Sequence, residues 1–183
     1  MTGSRLATGG ADHLRGDLAI CCESFGSPVA QALVSALMAD LDERYAADGP
    51  GDGDAPDVAE RFRVRVEQVT PPQGVFLVAR LAGEPVGCGA VRSVIDGPPR
   101  VAEIKRMFTA PAVRGRGISR ALLGRLEVEA AALGYRRLHL ETGLRQPEAI
   151  RLYESAGYQP IPAYGQYAGD DLSRCFGKDL PLT

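Results

Sequence analysis

The chain has 183 residues, 45% of them apolar, which is one domain's length and enough for a sizeable core. Lys plus Arg number 21 against 23 for Asp plus Glu, and a net charge of -2 argues against gripping nucleic acid by bulk charge. No run approaches the ~18 apolar residues of a membrane span, and Cys21, Cys22, Cys88 and Cys175 lack the spacing of a zinc or redox site, so reduced thiols, no metal and a cytoplasmic location are expected.

Residues 1–15 lack the apolar centre of a signal peptide and are expected to form a flexible leader, with one domain over 16–183. DLAICCES (17–24) predicts a strand. A helix follows: Ser27 can cap it, and Pro28 suits its first position. Val29, Leu33, Leu37 and Leu41 recur at four-residue spacing, and Val34, Met38 and Tyr45 widen that stripe. DGPGDGDAPD (48–57) is turn-forming and predicts a loop. VAERFRVRVEQV (58–69) is expected to be a second helix or an irregular segment; Phe62, Val64 and Val66 alternate as a strand would, but the flanks suit a helix. GVFLVARLAGEPVGCGAVRSVID (74–96) predicts a hairpin turning at Gly83, Glu84 and Pro85.

VAEIKRMFTA (101–110) predicts a strand whose alternation places Glu103, Lys105 and Met107 on one face and Ile104, Arg106 and Phe108 on the other. An Arg-Gly loop leads into a helix ending near Leu133, closed by Gly134. YRRLHLET (135–142) predicts a strand, QPEAIRLYESAG (146–157) a helix ended by Gly157, and YQPI (158–161) and SRCFGKDL (173–180) two strands. The order is mixed α/β without repeats.

The loop RGRGIS (114–119) has the makings of an anion cradle. The first N–H groups of a helix have no internal partner, and the helix dipole adds partial positive charge there. Gly115 and Gly117 allow a sharp turn and close approach, and Arg114 and Arg116 can add charged donors. The loop lacks the lysine and hydroxyl of a nucleotide P-loop, and Arg120 stands where a dinucleotide fingerprint needs its third glycine. In isolation it could equally be a solvated charge run.

VRGRGISRALL resembles the R/Q-x-x-G-x-G/A signature of the GNAT superfamily of acyl-CoA N-acetyltransferases, with Arg114 first, Gly117 central and Ser119 at the small-residue position. AIRLYESAGY (149–158) is similar to the family's A-x-x-L-Y-x-x-x-G-F/Y segment. GEPVGCGAVR (83–92) and AEIKRMFTAPAVRGRG (102–117) resemble its hairpin and its central strand with loop, so the likeness covers about 75–180. Gln146 departs from the pattern, standing where many relatives carry Asn.

The resemblance implies a mixed, mostly antiparallel central sheet flanked by helices. It implies acetyl-CoA held by the main chain of Met107, Phe108 and Thr109, by Arg114, Gly115, Arg116, Gly117, Ile118 and Ser119, and by Gln146 and Tyr153. It makes Tyr153 the acid for the leaving thiolate, and Glu103 the base, with Glu141 on the next strand as the rival. His139, between leucines, is expected to be a packed residue. Tyr164 and Tyr167 are candidates to line the acceptor pocket, and Lys105, Arg106 and Arg145 to pair an acceptor carboxylate.

The expected reaction is acetylation of a primary amine on a small, amino-acid-like molecule. The alternatives are a protein or peptide acetyltransferase and a non-catalytic CoA sensor. Neither nucleic acid nor membrane is expected as a partner, and a homodimer is compatible with this.

Overall fold

The computed structural model describes residues 17–46, 63–94 and 97–181. The expected leader (1–15) and loop (48–57) lie outside them.

The first strand, β1 (Leu18–Cys22), leads into α1 (Pro28–Tyr45). The Ser27 side chain accepts from the Ala30 N–H at 3.1 Å, satisfying one orphan donor of the first turn. Ala30, Leu33 and Leu37 form the buried stripe of α1, with Val29, Val34 and Leu41 packed beside it. Met38, expected in that stripe, is 40% exposed. Of the segment 58–69, the first five residues are outside the description; Val66–Val69 is a single 3-10 turn, so its described part takes the irregular option.

The hairpin is β2 (Gly74–Leu81) and β3 (Glu84–Ser93). Its turn is Ala82–Gly83, with φ of 50° and 87°, so Glu84 and Pro85 belong to β3 rather than to the turn as expected. Two positive φ values match the right-handed twist of the flanking strands, which is why so short a connection closes. The chain continues as β4 (Val101–Thr109), α2 (Ile118–Ala132), β5 (Arg137–Gly143), α3 (Pro147–Ser155), β6 (Gln159–Pro160) and β7 (Ser173–Asp179).

The sheet order is β1-β2-β3-β4-β5-β7-β6, antiparallel except for the β4–β5 pair, which α2 connects as a crossover. Each face of the sheet carries a core. On one, Leu77, Ile104, Leu138 and Leu140 pack under Leu122 and Leu126 of α2, with Tyr153 of α3. On the other, Phe76, Val78, Cys88, Ala90 and Phe108 pack under Leu33 and Leu37 of α1. Each fully buried Leu or Phe here contributes about 1.5–3 kcal/mol of transfer free energy.

Two features of β4 shape everything that follows. Its ladder with β5 runs only from Val101↔Arg137 to Ile104↔Leu140, after which the two strands part. Its register with β3 also shifts: Ala90 faces Lys105, but Cys88 faces Phe108, so one extra residue is inserted in β4. Arg106 takes a left-handed φ of 58° at this bulge. A bulge reverses the alternation beyond it. Met107 therefore packs with Ile104 on the α2 face, while Arg106 and Phe108 turn to the α1 face with Glu103 and Lys105. This corrects the alternation expected from sequence for all three residues.

Candidate functional site

At the C-terminal end of β4 a 3-10 turn (Pro111–Val113) leads to Gly115 and Gly117, with φ of 78° and 79°. A side chain at either glycine would meet no atom within 4 Å, so the backbone conformation demands glycine and the space in front is open. The helical bonding of α2 begins with the Ala121 N–H on the Gly117 carbonyl, at 3.0 Å. The N–H groups of residues 117–120 thus precede the first helical donor, at the positive end of the dipole. Ser119 hydrogen-bonds the Thr109 hydroxyl at 2.9 Å, tying the first turn of α2 back to β4. The geometry suits a diphosphate, and the parted β4 and β5 leave the main chain of Met107, Phe108 and Thr109 bordering an opening in the sheet.

Arg114 has partners within the fold. Its Nε donates to the Thr109 carbonyl at 3.0 Å and its Nη2 pairs with Asp40 of α1 at 2.8 Å. Asp40 also binds Arg44, which pairs with Glu148 of α3. The side chain expected as an anion donor also pins α1 to the loop. Gln146 occupies the N-cap position of α3, where its carbonyl accepts from Ala149 and Ile150 and its side chain makes no cap.

Just beside the parting of the strands, on the α1 face, lies a buried polar cluster. Glu103 is 2% exposed and Arg92 of β3 is 1% exposed. Arg92 Nη2 and Nε lie 2.8 and 2.9 Å from Glu103 Oε2. Tyr167 and Tyr164 donate to Glu103 Oε1 at 2.7 and 3.1 Å, and Lys105 Nζ is 3.9 Å from the same oxygen. Lys105 also donates to the Tyr167 hydroxyl. Burial pushes the Glu103 carboxyl up, but the charges of Lys105 and Arg92, with hydrogen bonds from Tyr167 and Arg92, outweigh it and hold Glu103 below its ordinary range. Burial pushes Lys105 down, against the attraction of Glu103 and Glu141.

Glu141 differs. His139 faces Glu103 across the last part of the β4–β5 ladder, so Glu141, two residues on, stands just past its end. It accepts from Ser173 at 2.7 Å. Burial raises its carboxyl above the ordinary range, against the Ser173 hydrogen bond and the charge of Lys105. Tyr153 lies on the α2 and α3 side, its ring 5.9 Å from Tyr158 and 6.4 Å from Phe176. Burial, then the Glu141 charge, raises its phenol well above the usual value. His139 accepts from Arg137 at 3.2 Å and packs on Tyr164 at 5.0 Å, with burial and Arg137 holding its pKa down.

Glu103, Lys105, Glu141, Tyr164 and Tyr167 are thus neighbours. Sequence reasoning missed Arg92, the counter-charge of Glu103, although one charge inside the apolar run GCGAVRS was a signal that a buried counter-charge must exist. It also missed a cleft of about 690 Å³ between α1 and the segment before β2, lined by Phe25, Gln31, Val34, Arg63, Arg65 and Arg106 among others. Among the described residues no cluster could hold a metal ion, and no helix is long and apolar enough to cross a membrane.

Parted central strands over a glycine-rich helix start are the architecture of an acyl-CoA-dependent transferase. The profile of the Acetyltransferase (GNAT) family matches residues 31–158, and the chain belongs to that family: it is an N-acetyltransferase. It is 39% identical over 154 residues to an IAA acetyltransferase of Azospirillum brasilense, covering 84% of this chain and 94% of that one. A crystal structure from Klebsiella pneumoniae assigned to the acyl-CoA N-acyltransferases superposes with a TM-score of 0.71 at 30% identity, covering 90% of this chain and 98% of that one. The PaiA N-acetyltransferase of Thermoplasma acidophilum, solved with coenzyme A, shares the fold at 15% identity and a TM-score of 0.64, covering 88% of this chain and 98% of that one.

Proposed function

We propose that this enzyme transfers the acetyl group of acetyl-CoA to the primary amine of a small, amino-acid-like molecule in the cytoplasm. The observation that carries this is the parting of β4 and β5 beside a helix start with open space before two left-handed glycines. The co-substrate supplies an activated acetyl group as a thioester. The N–H groups at the start of α2 bind its diphosphate, and the main chain of Met107, Phe108 and Thr109 borders its extended arm.

Glu141 is the better base of the two glutamates. Glu103 is stabilised as a carboxylate by Arg92, Lys105 and two tyrosines, which makes it a weak proton acceptor. Glu141 stands past the end of the ladder with its carboxyl raised toward the working pH, where a base is most effective. It accepts the proton an attacking amine gives up. Tyr153, whose phenol stays protonated at neutral pH, supplies one to the departing sulfur. Tyr164 and Tyr167, folded onto Glu103, narrow the acceptor side and favour a small molecule over a peptide. The small-molecule name of the Azospirillum relative agrees with that choice.

The test is thiol release from acetyl-CoA across a panel of small amines and peptides. Small primary amines should be turned over, and Glu141→Gln should lower kcat by about 10²–10⁴ and remove the acidic limb of the pH–rate profile. Turnover of peptides alone, or an acidic limb lost in Glu103→Gln and kept in Glu141→Gln, would overturn this assignment.

A further inference from the structure

Ser173 stands between two carboxyl groups. Its hydroxyl oxygen lies 2.7 Å from Glu141 Oε1 and 2.8 Å from Asp170 Oδ2. The register of β5 with β7 makes the first contact: Gly143 faces Ser173 and Glu141 faces Cys175, so Glu141 and Ser173 are diagonal neighbours on one face of the sheet. Gly143 has no side chain to compete for the hydroxyl. Asp170 is fixed in turn, its Oδ1 accepting from the Leu172 N–H at 2.9 Å and its carbonyl from the Ser173 N–H at 3.3 Å. Glu141 and Ser173 are half-buried and Asp170 is exposed, so the three groups lead from the site to solvent.

A serine hydroxyl has one hydrogen and a carboxylate has none. Both contacts have the length of an ordinary O–H···O hydrogen bond. One hydrogen cannot fill both at once, so the second bond forms when a carboxyl group brings a proton of its own. Acid, hydroxyl and carboxylate then stand in sequence with two hydrogens between them. Burial favours the protonated form of Glu141, and the charge of Asp170 adds to it, against the Ser173 hydrogen bond and the charge of Lys105.

We infer that Ser173 and Asp170 conduct the proton of Glu141 to solvent. The Glu141 O–H bond breaks as its proton passes to Ser173 Oγ, the hydroxyl's own hydrogen passes to Asp170 Oδ2, and the negative charge returns to Glu141. Asp170 then gives its proton to water or buffer, and the serine hydroxyl turns back. This deepens the proposed acetyl transfer and rests on it for the source of the proton, the attacking amine. The route leaves on the side of β5 opposite β4, through β7 and the loop before it. The base is thus reset while product still lies in the opening between β4 and β5.

The other titratable groups around Glu141 are Glu103 and Lys105 of β4, His139 of its own strand and Tyr153 of α3. Tyr167 of the loop before β7, Cys175 of β7, and Tyr45 of α1 against Gly143 complete them among the described residues. All are retained in the variants Asp170→Asn and Ser173→Ala, so differences between these report the relay. Carbon-13 NMR follows the Glu141 carboxyl through a pH titration, its signal assigned by its loss in Glu141→Gln. Asp170→Asn should move that titration to lower pH and Ser173→Ala to higher pH, and the acidic limb of thiol release should move with it. On the plateau above that limb, in dilute buffer, both variants should lose about 10²-fold in kcat, the low end of what a positioned proton-transfer group contributes. Added imidazole should restore the rate, and Ser173→Thr, which keeps a hydroxyl, should recover it in dilute buffer. Asp171→Asn, exposed and next in the chain, should change nothing. A Glu141 titration unmoved in both variants, or full turnover by Ser173→Ala in dilute buffer, would overturn the inference and leave the acetyl transfer standing. Opposite shifts of the titration in a protein that turns over no amine would uphold the shared proton and sink the acetyl transfer.

Discussion

Burial raises the carboxyls of both glutamates on the α1 face, but the net shifts are opposite, because only at Glu103 do counter-charges and hydrogen bonds outweigh it. The Glu103 carboxylate answers Arg92, and both are almost fully enclosed. Glu103→Gln would leave a buried guanidinium unpaired, a loss of about 3–5 kcal/mol in urea unfolding. The double variant Arg92→Met with Glu103→Leu should recover most of it, since removing both charges removes the desolvation problem. The pH dependence follows from the depressed carboxyl: Glu103 contributes stability above the unfolded carboxyl pKa of ~4.3, lost as the pH falls through its lower folded value. Glu141 has the opposite sign. Its raised carboxyl contributes stability below the unfolded value, which is lost as the pH rises through the folded one. Glu141→Gln should thus be the more stable protein at neutral pH and gain nothing at pH 4. A variant no more stable than the parent at pH 7 would show that Glu141 bears no burial penalty.

On the proposed function, the start of α2 is the element on which acetyl-CoA binding turns. Gly117 caps that helix in a left-handed conformation with open space at its Cβ position. Gly117→Ala therefore meets no protein atom; its penalty is backbone strain of about 1–2 kcal/mol. The turn either pays that cost or re-aims its N–H groups, so acetyl-CoA affinity by calorimetry should fall about tenfold or more while the circular dichroism spectrum is kept. Unchanged affinity would remove the loop from the cofactor site. This loop was legible in the sequence because its geometry is local: two glycines and a helix start say nearly all of it. The hairpin was legible as a hairpin, but its turn was displaced onto Glu84 and Pro85, because Ala82 takes a positive φ that its residue type does not advertise. The faces of β4 were misread beyond Lys105, since the bulge belongs to the pairing with β3 and no single strand announces its partner's register. The Arg92–Glu103 pair joins two strands and the Arg114–Asp40 pair joins a loop to a helix 74 residues away, contacts that only the folded chain creates.

Across the whole molecule, the sheet is two blocks held by a short seam. One is β1 to β4, the other β5 with β7 and β6, and they meet in the four residue pairs from Val101↔Arg137 to Ile104↔Leu140. Bridges outside the sheet supplement that seam, among them Arg44 of α1 on Glu148 of α3. A short seam is where a fold opens as a unit before it unfolds globally. The amides of β5 and β7 should therefore exchange with deuterium as one cooperative group, ahead of those of β2 and β3, and acetyl-CoA should slow that group more than any other. Exchange that leaves the two blocks indistinguishable would mean that the helices, and not the ladder, hold them together.

A molecule lodged between β4 and β5 then acts as a stitch across the seam as well as a reactant. By mass action a ligand at 100 times its Kd adds about 2.7 kcal/mol to the closed form. A protease reaches its cleavage sites through the open form, and its rate falls with the population of that form. If acetyl-CoA sits there as proposed, the lifetime of this protein is tied to the supply of its own acyl donor: a cell short of acetyl-CoA would lose the enzyme that spends it.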